Sequence, residues 1–270
     1  LPDNLKFYQK RFMPMRHARL IPLLLALAAP APVLAETYEH QLANGLRIIV
    51  KEDRRAPTAA HMVWYRAGSM DETNGTTGVA HVLEHMMFKG TPSAGPGEFN
   101  RRVAAAGGRD NAFTGHDYTA YFQQVPKQKL SEMMQLEADR MRHLTLDANE
   151  FSQEIRVVME ERRLRTDDQP QSLLFEHLAA VAFQAHPYRV PVIGWMSDLE
   201  NMTVADARFW YEQWYTPNNA YVVVVGDVDH QTVFQLAERH YGALSARSLP
   251  VRKPQDEPVQ AGIRRLTLKA

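Results

Sequence analysis

"GVAHVLEHMMFKGT" (residues 78–91) carries two histidines four residues apart, His81 and His85, with Glu84 just before the second. On an α-helix each residue advances about 100°, so the two imidazoles lie about 40° apart on one face. Glu84 falls in the same wedge, about 60° to the other side of His81. Two imidazoles at that spacing can hold one zinc ion, while a carboxylate beside them reaches water without binding the metal. The order H-x-x-E-H is the inverted form of this arrangement. The same five residues also fit an ordinary helix with solvated polar side chains, so the rest of the chain has to decide.

Catalytic zinc takes three protein ligands and keeps one position open. The chain has no cysteine, which removes disulfides, thiolate zinc sites and cysteine nucleophiles together and leaves histidines and carboxylates as donors. In "NEFSQEIRVVMEERRL" (149–164), Phe151, Ile155 and Val158 form an apolar stripe at helical spacing. Glu154 and Glu161 are one i, i+7 step apart and point within about 20° of each other at the edge of that stripe. Glu160 points to the opposite side. The spacing leaves Glu161 or Glu154 as the third donor and disfavours Glu160.

With 270 residues, 45% of them hydrophobic, the chain can bury a sizeable core, and its formal net charge of zero gives no electrostatic argument for a nucleic-acid partner. "MPMRHARLIPLLLALAAPAPVLAE" (13–36) places Arg16 and Arg19 before a short apolar stretch and ends in small residues suited to signal-peptidase cleavage. Spanning a bilayer takes about 20 apolar residues, and the stretch from Leu20 to Ala29 is too short. Residues 1–35 therefore read as leader and signal peptide, with export to a periplasmic or secreted location and no stable membrane span after cleavage.

Along the mature chain, "TYEHQLANGLRIIVKED" alternates on both sides of Asn44-Gly45 and predicts a hairpin. "AAHMVWYRAGS" reads as the next strand beside it, and "AYVVVVGDVD" as a strand buried on both faces. The 78–91 helix has Thr76 or Thr77 available as N-cap. "NAFTGHDYTAYFQQVP" alternates like a strand, and further helices are expected over 95–108, closed by Gly107-Gly108, and over 128–144, 147–168, 170–185, 203–215 and 230–244. The mixture predicts an α+β fold, a mostly antiparallel mixed sheet flanked by helices. Residues 36–249 read as one domain. The Pro-rich run from 250 reads as a linker, and "IRRLTLKA" as the first strand of a truncated second domain.

"GVAHVLEHMMFKGT", "GGRDNAFTGHDYTAYF" and "EIRVVMEERR", in that order, resemble the N-terminal half of the M16 zinc peptidases, the relatives of pitrilysin, insulin-degrading enzyme and mitochondrial processing peptidase. The resemblance runs from about Tyr38 to about Leu249. It implies a half-unit of the LuxS/MPP-like metallohydrolase type, with one Zn2+ per chain held by His81, His85 and Glu161. It also implies Glu84 as general base and Glu154 as a carboxylate behind the ligands. The segment around Asn111, Ala112 and Phe113 is implied to bind a peptide substrate as an added strand, which reads backbone more than side chains. M16 peptidases close two related halves around the peptide, so a second half, as a further domain or a separate subunit, is the expected partner.

Three rival readings follow. One is a non-catalytic half-subunit of an M16-type complex, although such halves typically lose the zinc motif. Another is a lyase with an H-x-x-E-H helix, whose chemistry leans on a cysteine that this chain lacks. The last is a binding module with a structural metal, which would be closed by four protein ligands; three are found. His116, His143, His177 and His186 have no second ligand at helical spacing and read as packed or surface residues. Met133, Met134 and Met141 read as core, and "AHPYRVPVIG" (185–194) as a structural loop.

Overall fold

The computed structural model describes residues 36–269; the leader and signal-peptide reading lies outside them. Strands β1 (Thr37–Gln41) and β2 (Arg47–Glu52) form the expected antiparallel hairpin, turned at Gly45 with φ 88°. Asn44 fastens that turn to the far end of the chain, donating from Nδ2 to the Tyr241 and Leu244 carbonyls at 2.7 and 2.9 Å.

The next strand, β3 (Thr58–Tyr65), does not lie beside the hairpin. β4 (Arg109–Thr114) and β5 (Thr119–Pro126) follow, and β6 (Ala220–Gly226) inserts between β2 and β3. β6 runs parallel to β2 and antiparallel to β3. The order is β1-β2-β6-β3-β5-β4, with every other pair antiparallel. The expectation that β3 extends the hairpin fails because the β6 backbone pairs with both β2 and β3, with its Val222 and Val224 side chains fully buried in the core. β6 is also not buried on both faces. Its residues alternate buried and half-buried, as do those of β3, because the sheet's other face, including Ile49, Met62, Trp64, Tyr221 and Val223, is only partly covered.

The helices are α1 (Val79–Met86), α2 (Glu98–Ala105), α3 (Leu130–His143), α4 (Ala148–Arg162), α5 (Pro170–Ala182), α6 (Met196–Asn201), α7 (Val204–Trp214) and α8 (His230–Tyr241). Of these, α6 was not anticipated. In α1, Val79, Val82, Leu83 and Met86 are buried in the main core with Ile48, Val63, Met134 and Met141. Burying each such side chain contributes about 1.5–3 kcal/mol. That stripe lies opposite His81, Glu84 and His85, so the packing that fixes the helix also aims its polar wedge away from the core.

Neither Thr76 nor Thr77 caps α1. Gly78 is the N-cap in a left-handed conformation, and the carboxylate of Glu72 accepts the Gly78 and Ala80 N–H groups at 2.7 and 2.9 Å. Thr77 instead donates its hydroxyl to Asp198 at 2.6 Å. A carboxylate reaching back from the preceding loop satisfies two orphan donors, which a threonine hydroxyl cannot do alone. α4 follows the ordinary rule, with Asp147 accepting from Asn149 and Glu150 at 2.8 and 3.0 Å.

Residues 246–269 contain no helix or strand, so the strand expected at "IRRLTLKA" is absent there. A strand needs a paired edge. This segment lies instead along the end of α5, where Arg264 donates to the Val181 and Ala182 carbonyls at 2.9 and 2.6 Å. Among the described residues, no helix is long and apolar enough to cross a membrane.

Candidate metal centre and active site

α1 and α4 pack against one another and bring three donors together. Glu161 Oε2 lies 3.4 Å from His85 Nε2, and its Oε1 lies 3.7 Å from His81 Nε2. One donor atom from each of His81, His85 and Glu161 can be chosen so that all lie within 4.8 Å of one another, a set that can reach a single cation. Glu160 points away into solvent and pairs with Arg163, as the helix geometry requires. Glu161 rather than Glu154 therefore faces both imidazoles.

The donor chemistry fits a divalent ion. Burial, reinforced by the charges of His85 and Arg165, pushes the His81 imidazole down to about 3, which keeps it neutral and able to donate a lone pair. His81 Nδ1 is buried without a hydrogen-bond partner. His85 is held from behind, its Nδ1 lying 2.9 Å from Glu154 Oε1. Burial works against the charged form of His85, but the Glu154 bond and the surrounding carboxylates outweigh it and hold its pKa above the usual range. Glu154 in turn pairs with Lys89. A carboxylate on the far nitrogen of a ligating histidine fixes its tautomer and ring orientation.

Glu84 points into the same hollow. Burial raises its carboxyl above the usual range, against the opposing effects of Thr114 and His85. Thr114 Oγ1 donates to Glu84 Oε2 at 2.5 Å. The hollow has a volume of about 560 Å³. Besides the donors and Glu84, it is lined by Asn111, Ala112, Phe113 and Thr114 of β4 and by Arg165, Thr166, Val192 and Ile193.

β4 is an edge strand, paired with β5 on one side only. Phe113 is anchored by edge-on contacts with Trp64 and Tyr118, at 5.3 and 5.9 Å between ring centres. The Asn111 side-chain oxygen accepts from the Ala112 N–H at 2.9 Å. All three candidate substrate residues thus line the hollow that contains the donors.

The description "Insulinase (Peptidase family M16)" matches residues 47–194. The chain belongs to the M16 peptidases. A second description, "Peptidase M16 inactive domain", matches residues 201–269. Among curated M16 relatives, the zinc protease PqqE of Helicobacter pylori is 37% identical over 90% of this chain and 56% of its own length. The mitochondrial-processing peptidase subunit beta of Lentinula edodes is 31% identical over 78% of this chain and 45% of its own.

The fold agrees. A crystal structure of a protease from Helicobacter pylori superposes with a TM-score of 0.80 at 36% identity, covering 83% of this chain and 55% of that one. The first half of the periplasmic protease PqqL from Escherichia coli superposes with a TM-score of 0.76 at 27% identity, covering 83% and 49%. The chain spans about half the length of the curated relatives it matches.

Several residues in and around this hollow escaped the sequence reading. Thr114 shares a strand face with Ala112, so alternation offered a signal for it. Glu72 sits in a loop whose path no periodicity reports, and Lys89 lies past the end of α1, whereas Arg165, four residues after Glu161 in the π-helical turn that continues α4, could have been found by helical spacing. Arg165 contacts Glu161 Oε1 directly. The loop at 185–194 is more than structural, since Val192 and Ile193 line the hollow.

Proposed function

We propose that this chain is the metal- and base-bearing half of a zinc-dependent endopeptidase that hydrolyses extended peptides or small unfolded polypeptides. The observation that carries this reading is the meeting of His81, His85 and Glu161 within 4.8 Å in a hollow that Glu84 also enters. His81 Nε2, His85 Nε2 and Glu161 would hold one Zn2+ per chain. A zinc ion in such a site acidifies water and polarises a carbonyl.

Glu84 is the general base. With Oε2 held by Thr114, Oε1 takes the proton from the attacking water and returns it to the leaving amine. Its raised pKa suits both halves of that exchange. Glu154 keeps the His85 tautomer that presents Nε2, with Lys89 balancing its charge. The open edge of β4 around Asn111, Ala112 and Phe113 would take the peptide as an added strand over Glu84, and Asn111 would face the cleavage point.

The half-length match to the relatives supports a second M16 half as partner, supplied by further chain or by another subunit. Residues 36–249 would be the peptidase domain, with 250–270 leading into the next. The stretch at 13–36 and the likeness to a periplasmic protease support an exported, periplasmic or secreted protein.

The test is to purify the protein, quantify bound zinc, and assay a quenched unstructured peptide with and without Glu84→Gln. Stoichiometric zinc in both proteins, with cleavage lowered a hundredfold or more in the variant, is the expected outcome. Purified protein that retains no zinc would overturn the reading.

A further inference from the structure

Arg162 follows Glu161 directly, at the last residue of α4, and is only 5% exposed. Its guanidinium forms a two-pronged pair with Glu176 of α5, Nη1 to Oε2 and Nη2 to Oε1, both at 2.8 Å. Nη1 also donates to the Gly194 carbonyl at 2.8 Å. Gly194 and Trp195 are in turn pressed onto the start of α1. The Trp195 N–H donates to Thr77 Oγ1 at 3.0 Å. A Cβ added at Gly194 would meet the Thr77 carbonyl oxygen at 2.3 Å, so the two backbones are already in contact. Asp198 holds the same threonine through its N–H and hydroxyl at 3.1 and 2.6 Å.

A continuous set of contacts therefore runs from Glu161 through Arg162, Gly194, Trp195 and Thr77 to the helix of His81 and His85. The two helices that bear the candidate ligands are joined by one guanidinium and two backbone segments. A buried ion pair is weak evidence for stability, because desolvation offsets much of its attraction. What a fork-shaped donor with three fixed acceptors does supply is geometry.

We propose that Arg162 is a positioning residue of the metal centre. It holds the carboxylate of Glu161 at the depth and angle set by the α1 histidines, without touching metal or substrate itself. The proposal rests on the metal reading above.

Cobalt(II) tests it, because its absorption reports ligand geometry as well as occupancy. The protein is stripped with chelator and titrated with cobalt alongside Arg162→Gln, Arg162→Lys and Thr77→Val, which breaks the same path at its other end. Because Arg162→Gln leaves the Glu176 carboxylate without its partner, Arg162→Gln/Glu176→Gln is titrated too. Val125→Ala, in the separate small cluster with Phe99 and Val103, serves as a destabilised control.

The expected result is cobalt affinity roughly tenfold or more weaker in Arg162→Gln, in its double variant and in Thr77→Val. Their absorption bands should shift, Arg162→Lys should recover part of the loss, and Val125→Ala should lose only thermal stability. Wild-type affinity and spectrum in Thr77→Val and the double variant would overturn the proposal, as would an equal shift in Val125→Ala. If Arg162→Gln does not fold, Thr77→Val decides. A wild-type protein that takes up no stoichiometric cobalt would overturn the metal reading first.

Discussion

Glu154 touches no candidate substrate residue, yet it decides which nitrogen His85 presents. Replacing it with glutamine keeps an acceptor but removes the charge that His85 and Lys89 share. We expect Glu154→Gln to weaken zinc binding by about 10- to 100-fold in chelator competition while the fold persists; unchanged affinity would contradict the role. Glu72 gives a pH signature of its own at the start of α1. Burial pushes its carboxyl from 4.5 up to about 8, with Asp71 and Asp198 adding to the effect and the Gly78 and Ala80 N–H groups opposing it. A folded-state pKa above the unfolded value means the contribution is fully present below about 4.5 and lost as pH rises through about 8. The stability of the native protein should therefore fall between pH 5 and 8 relative to Glu72→Gln, as read by urea unfolding; parallel profiles would exclude this. His81, Glu84 and His85 were legible because a fixed 100° step relates them. Glu72 was not, since its partners are set by loop path, which leaves no period in the text; for Thr114 alternation marks the strand face but not the glutamate it meets.

At the scale of elements, two glycines explain how α1 can start against the loop before α6. Gly78 and Gly194 both have positive φ, 89° and 83°, and a Cβ on either would run into the other's backbone. Gly194→Ala should destabilise the protein by several kcal/mol, combining left-handed strain with a backbone clash, whereas Gly95→Ala, in open space, should be nearly neutral. Thermal unfolding of the two variants compares them directly. The helices other than the short α6 were legible from their apolar stripes, and the hairpin from Asn44-Gly45. The placement of β6 was not: "AYVVVVGDVD" announces a buried strand but carries no mark of which two neighbours it separates. The half-open face of the sheet was equally silent, because a run of valines reads the same with one face covered or two.

For the molecule as a whole, metal and fold should be coupled, because the donors come from two helices that only the folded chain brings together. A ligand at a hundred times its dissociation constant adds about 2.7 kcal/mol to folding. Chelation should lower the thermal midpoint, zinc should restore it, and His81→Ala should be insensitive to both; a variant that still responds would locate the binding elsewhere. The boundary between the two matched family descriptions falls between residues 194 and 201, yet Glu36–Ala270 forms one compact unit with β6 near the middle of its sheet.

That arrangement bears on the order of assembly. The hairpin emerges early but cannot join the rest until Ala220–Gly226 has been synthesised. Until then, the helix with His81 and His85 has only half a platform beneath it. Contacts this distant in sequence form slowly, so the footing of that helix should be completed late in folding.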